Sequence, residues 1–538
     1  MNLDDLGKED FPFGSRIKAD FDHHVRKPRD AFSATPYIER MDLNPEACYR
    51  ALLARDERHD GRFFTCVTTT RIYCRPVCPA RPPKQENCLF VPSAAAAQEL
   101  GFRPCLRCRP EKAPESWTGG AATTVNRALR SIEEGTLDLG NVADLAEQVG
   151  VGDRQLRRLF QQELGASPLA VAQTRRVLLA LQLLQQTDLS MIDVALASGF
   201  QSVRRFNETF QKLYDRPPGE LRRQRRRAAV QSSALTLLLP YRRPYDWEAM
   251  LRFLSERAIR GMEHVADGVY SRTIELDGAA GTLQVADAPE ESALKATIEF
   301  PQLRSLPQII ARVRAMFDLN ADIGAITTAL SQDPVLAPLV AARPGLRVPG
   351  AWDRFELTVR AILGQHISVK GARFIAETLV AYFGAQSLKT ENQALSLLFP
   401  PPARWQREEI ERFRMTKARA AAIAHLAALV NGDPRYFEQL GRQASAVDQL
   451  QALPGIGQWT AQYVAMRALR ASDAFPAADV GLQRALAVDG VRPTEKQLLA
   501  QAENWRPWRA YAAMHLWTSD ALARPSRSRK RIAHATAT

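Results

Sequence analysis

The sequence predicts a multidomain chain, mainly α, with α+β portions in its first fifth and its middle. Three observations carry that prediction. All seven cysteines lie between Cys48 and Cys108. Two helical hairpins with glycine turns follow in tandem over 121–227. From Leu306 onward the apolar periodicity is helical, interrupted by one tight turn, Leu453-Pro454-Gly455-Ile456-Gly457. A net charge of +13 suits a polyanion, which by charge alone is DNA, RNA or an anionic membrane surface. No apolar run reaches the roughly eighteen residues of a membrane span, so no membrane partner is expected. No N-terminal signal pattern is visible, and the expected compartment is the cytoplasm.

Residues 1–40 are polar with little periodicity and are expected to be disordered. The first compact unit spans 41–114. Cys74 and Cys78 are spaced C-x3-C, and Cys105 and Cys108 are spaced C-x2-C. Two short-spaced pairs on separate turns make a tetrahedral thiolate site for Zn²⁺, structural by default. An odd, clustered set in a cytoplasmic chain argues for metal over disulfides. Cys48, Cys66 and Cys88 lack paired spacing and are expected in the core. The segments DERHDGRFFTCVTTTRIYCRPVCPAR and ENCLFVPSAAAAQELGFRPCLRCRP resemble the N-terminal domain of the Ada adaptive-response regulators. That resemblance implies a small zinc-bound α/β domain. It also implies that Cys74 is both ligand and acceptor of a methyl group from DNA methylphosphotriesters. Thr70, Arg103 and Arg107 fall where that family contacts the DNA backbone.

Over 121–227, Val142, Leu145, Ala146 and Val149 form the apolar face of one helix, and Gly150 marks a turn. Asp153 is read as the cap of a second helix bearing Arg154, Arg157 and Arg158. In the next hairpin Ile192, Ala195 and Leu196 are expected to pack. Gly199 turns, and Ser202 caps a helix with Arg204, Arg205 and Asn207. A helix of that kind fits the major groove. A long helix over about Leu169–Gln186 separates the two. GFQSVRRFNETFQKLYDRPP resembles the AraC-type double helix-turn-helix domain. The basic run Arg222–Arg227 reads as a linker with incidental DNA affinity.

Residues 235–305 alternate strand, helix and paired strands, an α+β unit, and 306–520 are all-α. In the LPGIG turn the glycines permit a left-handed backbone, and the amides opening the next helix suit a phosphate. Ala461, Val464, Ala465 and Leu469 then recur at helical spacing, which predicts one buried face. Asp479 follows in a small-residue loop before Val480, where it could serve simply as a helix cap. YDWEAMLRFL, AARPGLRVPGAWDRFELTVRAILGQHISVKGA and WRPWRAYAAMHLW resemble the 3-methyladenine-DNA glycosylase II family. This AlkA type belongs to the helix-hairpin-helix glycosylase superfamily, and the likeness covers about 235–520.

The resemblance implies an α+β AlkA-type N-terminal domain followed by an all-α helix-hairpin-helix glycosylase domain. It makes Asp479 the catalytic carboxylate and Gly455 and Gly457 the phosphate grip. Tyr463 and Trp517 line the base pocket, Trp459 stands near its mouth, and His366 occupies the wedge position. Trp459 also stands where bifunctional relatives carry a Schiff-base lysine, so hydrolysis without a lyase step is expected. With no cysteine after Cys108, neither a cysteine-ligated iron–sulfur cluster nor direct O6-methylguanine repair is expected. Residues 521–538 read as a basic, disordered tail.

The whole therefore reads as an alkylation-damage response protein that senses, regulates and excises. Its expected partners are alkylated and promoter double-stranded DNA and RNA polymerase, and it is expected to be a monomer. The alternatives are a transcription regulator whose glycosylase half only binds DNA, and a nonenzymatic zinc protein.

Overall fold

The computed structural model describes residues 43–114, 124–222, 234–385, 394–413, 415–441 and 446–523. The expected disorder of 1–40, most of the basic run 222–227 and the tail beyond Ala523 lie outside them. The first unit is a four-stranded sheet in the order Cys88–Val91, Phe64–Val67, Ile72–Cys74, Arg103–Pro104. Helix Pro45–Ala54, N-capped by Asn44, packs beside it, and Cys48 and Cys66 are buried as core residues, with Cys88 partly covered. The last two strands are parallel, with Ile72 opposite Arg103, which brings the two cysteine turns to one end of the sheet.

Helices Val142–Gln148 and Asp153–Leu164 form the first helix-turn-helix, and Met191–Ala197 and Val203–Tyr214 the second. Helix Pro168–Gln186 joins them, one residue longer at its start than the sequence suggests. Ser202 caps its helix as expected, accepting from the Arg205 amide. Two expectations are corrected. The cap of the second helix is Gly152, not Asp153; Asp153 is the first helical residue and pairs with Arg157 one turn on. Ile192 does not pack: it is 58% exposed, while Ala195 beside it is fully buried.

A five-stranded antiparallel sheet follows, ordered Leu235–Pro240, Ala293–Glu299, Ala279–Ala288, Val269–Leu276, Glu263–Ala266, with helix Trp247–Arg257 against it. The remainder is helical through Ala523, so the final helix, Arg509–Ala523, runs slightly past the expected boundary at 520. Sheet and helices are joined by a buried charge network. Arg272 donates to Glu356 at 2.7 Å, and Arg360 to Glu263 at 2.9 Å and to Glu356 at 2.8 Å. Each buried charge has a partner, without which its desolvation would be prohibitive. The network fixes helix Arg354–Leu363, which leads directly into the His366 loop.

Helix Gln458–Arg467 departs from the expected single buried face. Ala461 and Val464 belong to one apolar cluster with Phe355, Ile423 and Ile456. Ala465 and Met466 belong to another with Phe475, Leu482 and Leu516. The helix is wedged between two cores, because small residues on both sides admit close neighbours.

Candidate active site and metal centre

The hairpin turn separates helices Ala446–Gln451 and Gln458–Arg467. Gly455 takes the left-handed backbone (φ +79°), and a Cβ there would lie 2.7 Å from the Cβ of Ala422, so only glycine fits. Gly457 is not left-handed (φ −82°); it is the N-cap of the second helix, without a side chain to cap it. A Cβ on Gly457 would meet nothing within 4 Å. The first amides of this ten-residue helix are therefore approachable by an anion.

Asp479 is the N-cap of helix Val480–Ala485, and its carboxylate is held by four donors. Oδ1 accepts from the Gly481 amide at 2.7 Å, the Leu482 amide at 3.1 Å and Trp517 Nε1 at 2.8 Å. Oδ2 accepts from Trp459 Nε1 at 2.8 Å. Cap and site are one arrangement: backbone amides lock one oxygen, and indoles from two other helices orient the plane. Gly481 has no Cβ for a reason of space, since one would stand 2.9 Å from Oδ1 and 3.2 Å from Trp517 Cδ1.

Beside the carboxylate the aromatics form a continuous wall. Trp459 and Tyr463, one helical turn apart, stack with centroids 5.1 Å apart and planes at 12°; Trp517 meets Tyr463 edge-on at 6.2 Å. All three are partly exposed. Arg467 donates to the Tyr463 hydroxyl at 2.7 Å and is anchored by the carbonyls of Pro349 and Gly350. Burial alone would raise the Tyr463 phenol, but the guanidinium groups of Arg467 and Arg257 outweigh it and bring it below its ordinary value.

His366 is exposed and has a left-handed backbone (φ +56°), a conformation that costs a non-glycine residue about 1 kcal/mol. Its neighbour holds the loop. Gln365 Nε2 donates to the Gly455 carbonyl and to Thr460 Oγ1, both at 2.9 Å, while Arg419 donates to the Gln365 carbonyl at 2.5 Å. Gln365, Gly481, Arg257 and Arg467 escape a reading of the sequence. Gln365 lies within GQHIS beside His366, but its partners are some ninety residues away, and proximity in sequence is the only signal it gives.

In the first unit the Sγ atoms of Cys74, Cys78, Cys105 and Cys108 all lie within 4.8 Å of one another. Cys78, Cys105 and Cys108 are each 6% exposed, and Cys74 is the least covered of the four. Four soft donors in one small cluster fit a tetrahedral Zn²⁺. Left to themselves the thiols share protons: hydrogen bonds to Cys105, Cys108 and Cys78 push Cys74 up, while bonds to Cys108 and Cys74 hold Cys105 down. A divalent cation takes all four as thiolates. The Arg75 amide lies 3.4 Å from Cys108 Sγ, and its guanidinium donates to the Cys108 carbonyl at 3.0 Å and to Asp60, an outer shell that orients the ligand.

The structure brings the turn carrying exposed Thr70 next to Arg103, whose amide donates to the Arg71 carbonyl at 2.9 Å. Arg107 is exposed between the two cysteines of its turn. In the helix-turn-helix unit Arg204 and Arg205 are exposed on helix Val203–Tyr214, Arg204 paired with Glu208. Among the described residues no helix is long and apolar enough to cross a membrane.

Three families match consecutive stretches: the metal binding domain of Ada over 47–111, a helix-turn-helix domain over 145–224 and the AlkA N-terminal domain over 236–353. The chain is 40% identical over 480 residues to a probable bifunctional transcriptional activator/DNA repair enzyme AlkA of Mycobacterium tuberculosis, covering 88% of this chain and 96% of that one. It is 32% identical over 285 residues to DNA-3-methyladenine glycosylase 2 of Escherichia coli, 52% of this chain and 96% of that one. It is 38% identical over 134 residues to the bifunctional transcriptional activator/DNA repair enzyme Ada of Escherichia coli, 25% of this chain and 37% of that one.

Proposed function

The chain belongs to the family of bifunctional AlkA/Ada-type transcriptional activator/DNA repair enzymes, and on that premise we propose that it excises alkylated purines such as 3-methyladenine from double-stranded DNA. The observation that carries this reading is the four-donor clamp on Asp479 beside the Trp459–Tyr463 wall. The target nucleotide leaves the stack. Amides beyond Gly455 and Gly457 grip a neighbouring phosphate, and His366 fills the vacated space. The electron-rich wall of Trp459, Tyr463 and Trp517 accepts a base that carries positive charge. As the glycosidic bond breaks, charge grows on the sugar and Asp479 stabilises it. With Trp459 in place of a nucleophilic lysine, water completes the hydrolysis.

The first unit performs a separate, stoichiometric reaction. Cys74, Cys78, Cys105 and Cys108 would hold Zn²⁺, which would keep the Cys74 sulfur a thiolate at neutral pH. That sulfur attacks the methyl carbon of a methylphosphotriester; the S–C bond forms, the O–C bond breaks, and the phosphodiester leaves as an anion. Four thiolates on one divalent cation carry a charge of about −2, and a thioether lowers it to about −1. Repulsion from DNA falls, with Thr70, Arg103 and Arg107 on the backbone. The helix-turn-helix unit, through Arg204 and Arg205, then holds promoter DNA more tightly.

Release of 3-methyladenine from methylated duplex tests the first activity. Asp479→Asn is expected to lower it by about a hundredfold or more. No release by the unmutated chain would leave the alternative, a regulator whose second half only binds DNA. Labelled methyl is expected on Cys74 and not on Cys74→Ser; label elsewhere, or none, overturns the acceptor assignment.

A further inference from the structure

Strand Leu235–Pro240 is an edge of its five-stranded sheet. One side is paired in register with Ala293–Glu299, from Leu235 opposite Ile298 to Pro240 opposite Ala293. Among the described residues no strand lies on the other side, and an open edge leaves backbone groups that must be satisfied or covered. Here the cover comes from the helix-turn-helix unit. The Leu238 amide donates to Gln186 Oε1 at 2.9 Å, and the Leu238 carbonyl accepts from Gln182 Nε2 at 2.9 Å. Gln182 and Gln186 stand one turn apart on helix Pro168–Gln186, so their amides form a pair along one face. Together they take the place of a sixth strand. Gln182 is only 8% exposed, an unusual position for a glutamine unless its amide is engaged.

The apolar packing runs through the same contact. Val177, Ala180, Leu181 and Leu184 of the helix share one cluster with Leu237 and Leu239 of the strand. Polar contacts also join the two halves. Arg62 of the zinc unit donates to both oxygens of Asp322 at 2.7 Å, Lys112 pairs with Glu291 at 2.7 Å, and Arg130 donates to the Leu469 carbonyl at 3.1 Å.

We propose that the edge of the glycosylase sheet is a docking surface for the chain's own helix-turn-helix unit, with the Gln182–Gln186 pair as its recognition element. The sensing and excising halves thereby form one cooperative body. Stabilisation of one half then reaches the other through a shared core. The inference rests on contacts within the chain and holds whichever half performs chemistry.

Hydrogen exchange on the full chain tests it. The Leu238 amide is expected to exchange as slowly as amides of the central strand Ala279–Ala288. In Gln182→Ala/Gln186→Ala it speeds up at least tenfold while the central strand is unchanged. Reloading zinc into chelator-treated full chain is expected to slow Leu238 exchange severalfold. Rapid exchange at Leu238 in the unmutated chain overturns the proposal, as does indifference of Leu238 to the double substitution or to zinc. Should the double variant fail to fold, the unmutated chain and its zinc response decide the matter alone.

Discussion

The side-chain amide of Gln365 donates to the carbonyl of Gly455 at 2.9 Å, so the loop presenting His366 is tied to the turn that presents the helix amides. In the proposed reaction, gripping a phosphate and filling the space of the displaced base require a fixed distance between those two parts. Gln365 sets it without touching the carboxylate. Gln365→Leu is expected to lower kcat/KM for base release by about tenfold, since two hydrogen bonds worth about 1 kcal/mol each are lost. Stability should fall by no more than that sum. A denaturation curve paired with the release assay checks both, and unchanged kcat/KM would remove Gln365 from the positioning role.

Asp479 has two duties, cap and carboxylate, and they separate by substitution. Asparagine keeps an oxygen for the Gly481 and Leu482 amides and is itself a good cap. Its amide nitrogen would then face the Trp459 N–H, donor against donor. Asp479→Asn should stay within about 1 kcal/mol of the unmutated stability, while Asp479→Ala loses the cap and strands two indoles, at a cost of about 2 kcal/mol or more. Urea unfolding of the pair measures the difference.

Gly481 predicts a lesion in activity from a single methyl group. The added Cβ of Gly481→Ala would sit 2.9 Å from Asp479 Oδ1, and the carboxylate must swing away from it. The backbone there is ordinary helix, so the stability cost comes only from the cap and indole bonds that the displaced carboxylate gives up. Base release is expected to fall by tenfold or more, about 1.4 kcal/mol in the barrier, with a loss of stability no larger than that of Asp479→Ala.

His515 gives the helical half an acid limit. It is buried on helix Arg509–Ala523, and burial lowers it from 6.5 to about 4. The folded state therefore favours the neutral ring, and the unfolded chain binds the extra proton first. Stability from this group is complete above about pH 6.5 and is lost as pH falls toward 4, a change of order 3 kcal/mol. Unfolding curves between those values should show the slope, and His515→Gln should flatten it.

The sequence was most legible where chemistry is compressed into a few neighbouring residues. The cysteine pairs needed only spacing, and LPGIG with Asp479 needed a turn, a helix and a loop. Ser202 is legible as a cap because its side chain bonds locally, three residues on. Asp153 misleads for the same reason: an acidic residue near a helix start resembles a cap, and the glycine before it has no side chain to announce the role. Ile192 follows the helical period yet faces outward, since periodicity fixes a face but not whether anything covers it. Long-range contacts left no trace at all. Gln182 and Gln186 carry no local signal, and their partner Leu238 lies beyond a basic linker. Helix Gln458–Arg467 looked one-faced because alanine serves a core as readily as it serves a surface.

Two of the chain's eight tryptophans donate their ring N–H groups to opposite oxygens of one carboxylate. Indole emission responds to the acceptor beside the nitrogen and to any ring stacked on its face. The protein thus carries a built-in optical probe at the Asp479 carboxylate. A ligand that reaches Asp479 can be followed in real time on unlabelled material.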